Sequence, residues 1–273
     1  TGLDLADLSS IACDDTVDNL LSRVAVAELQ RIPQNMVHRL IRNRVLEYGR
    51  LLDTWYMVAI DATGLFSRRQ RHCPRCLVKP SSSGDPLYYH AVLEAKLVTR
   101  DGLALSIGSE PIENDGGYGM DRGAERYKQD CEINAFKRLA PRIKALFPQL
   151  RICLLCDSLY AAATIMDICK QYGWVFCMTF KQGSIPSVYE EFQSLLPLQP
   201  ENAKVWENSS VRQNISWANG IEYHQHRLNV CRCVETSKKK RPTETVRFYN
   251  QHLYDRRNGQ CDHQRRREET MEH

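Results

Sequence analysis

The chain is 273 residues long, 42% hydrophobic, 26% charged and 8% aromatic, enough for one large domain or two small ones with a full apolar core. That balance excludes a disordered, collagen-like or coiled-coil chain. No apolar run reaches the ~18–20 residues of a membrane span, and no signal peptide opens the sequence, so it reads as soluble and intracellular, without a membrane partner. It begins at Thr1 rather than Met, as a fragment would.

Residues 1–50 are predicted as a helical N-terminal segment, because Leu20, Val24, Leu29 and then Val37, Leu40, Ile41, Val45 recur at three- and four-residue steps. Pro33 is placed at the opening of the second helix. Residues 55–61 (WYMVAID) form an apolar strand ending on a carboxylate, with a turn expected at Ala62-Thr63-Gly64. Residues 67–86 are basic, rich in Cys, Pro, Ser and Gly, and loop-like. Residues 89–99 and 103–109, joined at Asp101-Gly102, predict a β-hairpin, since Asp-Gly supplies the positive φ of a tight turn.

Gly116 to Gly123 is predicted as a loop and residues 124–147 as an amphipathic helix stopping at Pro148. Residues 151–156 (RICLLC) form a second apolar strand, again ending on an acid, Asp157. A helix over 160–172, Gly173 and a strand over 174–180 follow. A short helix begins near 186, and alternating segments at 203–217 and 221–235 predict antiparallel strands. The order strand, hairpin, helix, strand, helix, strand is that of a mixed α/β sheet rather than a βαβ repeat.

The net charge is +4, from 37 basic and 33 acidic residues. Residues 238–273 carry that whole surplus, so the basic balance belongs to the tail and is weak ground for a nucleic-acid claim about the whole chain. Eleven cysteines is an odd number, and Cys153, Cys156, Cys169 and Cys177 sit inside apolar runs. They read as small hydrophobes in a reducing compartment rather than as a disulfide framework.

Asp61 and Asp157 share a context: each ends an apolar strand and is followed by small or hydroxyl residues. If the two strands are neighbours, the carboxylates face one point and repel unless a divalent cation lies between them, as in two-metal phosphoryl-transfer sites. The competing reading is that each Asp caps a turn or helix.

Four stretches carry a family resemblance: AIDATGLFS at 59–67, YYHAVLEA at 88–95, KQDCE at 128–132 and LCDSLYA at 155–161. Together, over residues 15 to 248, they resemble bacterial insertion-sequence transposases of the DDE type. The resemblance implies a ribonuclease H-like mixed sheet flanked by helices over 51–181, with a β-rich insertion over 182–248. It also implies Mg²⁺ (or Mn²⁺) held by Asp61 and Asp157 for end cleavage and strand transfer, with DNA as partner (transposon ends and target) in a bacterial cytoplasm at the nucleoid. It leaves a homodimer open.

The family's third acid, a Glu on a late helix in a pattern like Arg-Trp-x-Ile-Glu, has no match; Glu235 is the nearest acid and reads as a strand residue. The irregular tail, residues 249–273, reads as out of frame: Met271 and Glu272 force Trp in a frame shifted by one base, and the codons around them permit Arg-Trp-Asn-Ile-Glu. The expectation is a frameshifted, truncated transposase, defective in strand transfer. The alternatives are a DNA-binding remnant without catalysis and a metal-dependent nuclease.

His72, Cys73 and Cys76, with His90 downstream, suit tetrahedral Zn²⁺. The second C-x₂-C or H-x₃₋₅-H pair of a full zinc signature is missing, so a metal-free loop competes. Arg68, Arg69 and Arg71, with Arg75, follow Asp61, and Lys181 follows the strand at 174–180. They are candidate contacts to DNA phosphates, against the alternative of a solvated charged loop. Asp130 and Glu132 open the long helix, where its dipole favours negative charge, and no chemical step falls to them.

Overall fold

The computed structural model describes residues 13–80, 84–114, 129–181, 183–208, 210–237 and 240–250. The expected loop at 116–123, the start of the helix expected from 124, and the irregular tail expected over 249–273, with its shifted-frame reading, lie outside the described residues, except for Tyr249 and Asn250, which end a strand instead. Helix α1 spans Asp14–Leu21 and α2 spans Val26–Arg42. Pro33 lies inside α2 instead of opening it. One backbone hydrogen bond is forgone there, and the buried Val37 with Leu40 and Ile41 packs the helix onto the core.

Strand β1 spans Tyr56–Arg68 and does not turn at Ala62-Thr63-Gly64. Its backbone pairs antiparallel with β3 (Leu87–Val98) from Met57 to Arg68, Asp61 opposite Glu94 and Gly64 opposite Ala91, with a slip between Gly64 and Phe66. Side-chain burial ends at Ile60 while backbone pairing continues. Reading the apolar run therefore stopped the strand too early. The outer edge of β3 is shared: β2 (Leu77–Lys79) pairs with its start, and β4 (Ala104–Ile112) with the rest. The turn into β4 has Gly102 at φ +89, as Asp-Gly predicts.

Helix α3 spans Glu132–Leu146, followed by β5 (Ile152–Cys156), a 3-10 turn at Ser158–Tyr160, α4 (Ala163–Tyr172) and β6 (Val175–Phe180). Then come α5 (Pro186–Leu195), β7 (Ala203–Glu207), β8 (Val211–Tyr223), β9 (His226–Ser237) and β10 (Lys240–Asn250). The predicted break between 217 and 221 is absent. Gly220 (φ +77) sits at a bulge within β8, its N–H donating to Asn229 Oδ1 at 3.1 Å, and the reversal falls at His224 and Gln225.

The molecule is mixed α/β. Its described strands form a single sheet in the order β2-β3-β1-β5-β6-β10-β9-β8-β7, with β4 on β3. Strands β1, β5 and β6 run parallel; the other pairs are antiparallel. The buried residues of α3, α4 and α5, and Val37 of α2, all join one core cluster with Tyr56, Val58, Ile152 and Leu154. Met57, Cys153 and Val175 join a second cluster. The alternation of strand side chains puts the two clusters on opposite faces of the sheet. Among the described residues no helix is long and apolar enough to cross a membrane.

Candidate functional site

The parallel pairing of β1 and β5 sets Tyr56 beside Ile152 and Ala59 beside Leu155, a constant offset. The pairing ends there; Asp61 lies two residues further along β1 and Asp157 two residues beyond Leu155, just past the last strand residue Cys156, so an offset continued beyond the paired residues would put the two level. Both side chains are exposed. Among the described residues, Asp61 Oδ1 accepts only from the N–H of the next residue, Ala62, at 3.0 Å. Asp157 Oδ1 accepts from Leu159 N at 2.8 Å and caps the 3-10 turn. The capping role is therefore real for Asp157, and it uses one oxygen; among the described residues no donor reaches Oδ2.

A third carboxyl belongs to this edge. Glu132 is the first residue of α3, and its Oε2 accepts from the buried Tyr160 hydroxyl at 3.1 Å. Burial pushes the Glu132 carboxyl above the usual range; the tyrosine hydrogen bond opposes that, and the charges of Asp157 and Asp61 add to it. The charges of Asp157 and Asp61 thus act on Glu132, and carboxylate oxygens are the hard donors that a divalent cation prefers. Sequence reasoning gave Glu132 no chemistry because the helix dipole already explained an acid at that position.

Its neighbours have structural duties. Gln129 clamps β2, accepting from Val78 N at 2.6 Å and donating to Val78 O at 2.7 Å. Asp130 takes Arg138 Nη2 at 2.7 Å, and Arg138 with Arg142 holds Glu110 of β4 at 2.6 and 2.5 Å. The helix start that carries Glu132 is therefore bound to both β2 and β4.

The chain also brings together His72, Cys73, Cys76 and His90, whose donor atoms all lie within 4.8 Å of one another. The Cys73 and Cys76 sulfurs are 3.6 Å apart, Cys73 Sγ is 3.1 Å from His90 Nε2, and Cys76 Sγ is 3.1 Å from His72 Nδ1. The ring of Phe66 lies against both imidazoles, with centroids 4.8 and 5.2 Å away. Burial pushes the Cys76 thiol up, but hydrogen bonds with the His72 and Cys73 backbone and the Cys73 side chain, with the Arg71 charge, leave it below its ordinary value.

Arg68 and Arg69 are exposed at the end of β1, and Lys181 is exposed after β6. Arg71 instead donates to the carbonyls of Cys73 and Pro74 at 3.2 and 2.6 Å, and Arg75 pairs with Glu113 at 2.7 Å. Glu235 lies in β9, where Gln213 Nε2 donates to it at 2.6 Å. No α-helix follows α5 among the described residues. Of the apolar-run cysteines, Cys153, Cys156 and Cys169 are buried and Cys177 is half-buried; Cys153 and Cys156 sit on opposite faces, and burial pushes Cys169 up to about 12. The chain matches no protein-family model and no curated protein sequence.

Proposed function

We propose that this chain is the catalytic domain of a DNA transposase of the DDE type, carrying out Mg²⁺-dependent phosphoryl transfer at Asp61, Asp157 and Glu132. The observation that carries the reading is the parallel pairing of β1 and β5, the two strands whose chains run on into Asp61 and Asp157, with a third acid, Glu132, sensing both charges. A ribonuclease H-like fold is supported by the antiparallel run β4-β3-β1, the parallel run β1-β5-β6, and the helices packed on one face.

Asp61, Asp157 through its uncapped oxygen, and Glu132 would hold the cation. When bound, Mg²⁺ polarises the phosphate and lowers the pKa of an attacking water or 3′-hydroxyl. Tyr160 holds the Glu132 carboxyl in place, and Arg68, Arg69 and Lys181 are placed to meet DNA phosphates beyond the strand ends.

A second reading is a nuclease that cuts without joining. It is favoured by the place of Glu132, which falls between the two aspartates in sequence rather than on a late helix.

The test is nicking of supercoiled DNA with Mg²⁺, scored for joined as well as cut products. Asp61→Asn and Asp157→Asn should each lower cutting by about 10³-fold or more while leaving the melting temperature within a few degrees. Cutting that survives both substitutions would place the chemistry elsewhere. Joined products select the transposase, cut products alone the nuclease.

A further inference from the structure

The cluster on the loop after β1 lies apart from the carboxylates, and phosphoryl transfer has no use for it. We propose that His72, Cys73, Cys76 and His90 form a structural Zn²⁺ site that ties this loop and the edge strand β2 to β3. The donor set is two sulfurs and two imidazole nitrogens with no oxygen, which selects zinc over magnesium. A tetrahedral zinc with bonds of about 2.3 Å to sulfur and about 2.0 Å to nitrogen sets sulfurs about 3.8 Å apart and sulfur about 3.5 Å from nitrogen. The 3.6, 3.1 and 3.1 Å separations differ from these by a few tenths of an ångström, and the remaining donor pairs lie within 4.8 Å. Four protein ligands fill the coordination shell, which is the pattern of a structural rather than a catalytic zinc.

The surroundings fit a clip. Residues 67–76 (SRRQRHCPRC) contain no large aliphatic side chain, so packing alone cannot hold them. Phe66 orients both imidazoles, and Arg71 takes up the carbonyls of Cys73 and Pro74. Asn114 binds the loop from behind, its N–H donating to Arg75 O at 3.1 Å and its amide to Cys76 O at 2.9 Å. Asn114 Oδ1 in turn accepts from Asp130 N at 3.1 Å, and Gln129 clamps Val78. Zinc would therefore stiffen the backbone leading into α3. Neither the ligands nor the measurement depends on the phosphoryl-transfer reading.

The test is metal analysis of the full chain purified under reducing conditions, then titration of chelator-stripped protein with Zn²⁺ and Co²⁺. The expected result is one zinc per chain and a cobalt spectrum with tetrahedral visible bands and thiolate-to-cobalt charge transfer. Cys76→Ser should lose the zinc on dialysis against chelator, and His90→Cys, which keeps four ligands, should retain it. Asp61→Asn should keep full zinc, separating this site from the carboxylates. Stripping should speed amide exchange at Val78 and residues 129–131 while sparing β5 and α4. A stripped wild-type chain that gives no tetrahedral cobalt spectrum, or a Cys73–Cys76 disulfide in freshly reduced protein, overturns the proposal even if the Ser variant fails to fold.

Discussion

Glu132 is the residue whose environment departs furthest from what its position in the sequence implies. Its carboxyl titrates above the ordinary range because of burial and the charges of Asp157 and Asp61. A raised acid makes the native state hold its proton longer than the unfolded chain. Its stabilising contribution is present below about pH 4 and is lost as the pH rises through the folded value. Glu132→Gln should therefore gain melting temperature relative to the parent as pH is raised from about 4 to 7 without metal, read by differential scanning fluorimetry. The same substitution should shrink the stabilisation that Mg²⁺ gives the parent at neutral pH. A difference that is flat with pH would mean that Glu132 does not face the two aspartates. Asp130 titrates the opposite way: burial raises it, but the hydrogen bond and charge of Arg138 outweigh that and hold it low. Two acids two residues apart thus have opposite characters, and only their partners decide which.

At the scale of elements, α3 is held where Glu132 can reach the strand ends. Its Phe136, Leu139, Ala140 and Ile143 are buried, and it packs on β4 at a glycine: a Cβ on Gly108 would lie 3.2 Å from Leu139 Cδ1. Gly108→Val should overpack this contact at a cost of about 1–3 kcal/mol, measured by denaturant unfolding. An unchanged midpoint would show that α3 can ride outward without cost. Most elements were legible from their own periodicity: β5, α4, β6 and the β3-β4 hairpin follow from apolar runs, spacing and Asp101-Gly102. The continuation of β1 past Asp61 was not legible, since its residues 63–68 are all exposed, carry no burial pattern and are strand only because β3 pairs with them. The role of Gly220 was hidden in the same way, because a bulge and a turn ask for the same residue.

Across the whole molecule, one core cluster runs from Val37 of α2 through β1 and β5 to Ile221, Leu228 and Val246. The antiparallel strands β7 to β10 are joined to β6 by β10, and α5 packs on β8 through the same cluster. The expected behaviour is a single cooperative transition. Phe192→Ala, at a fully buried position in α5, should cost about 3–5 kcal/mol and lower the melting of the entire chain. Calorimetry showing a separate early transition in this variant would mean that residues 186–250 unfold on their own.

What the sequence by itself determined was local: which runs are buried, where helices sit between them, and that two buried runs are each followed by an aspartate. Those properties depend on side-chain hydrophobicity at fixed spacing along one stretch of chain. Only the tertiary structure decided that the two strands are parallel neighbours, and that the charges of Asp61 and Asp157 act on Glu132. It also decided that His90 of β3 completes the set begun at His72. Each of these depends on backbone pairing and helix packing between residues far apart in the chain, which no local pattern encodes.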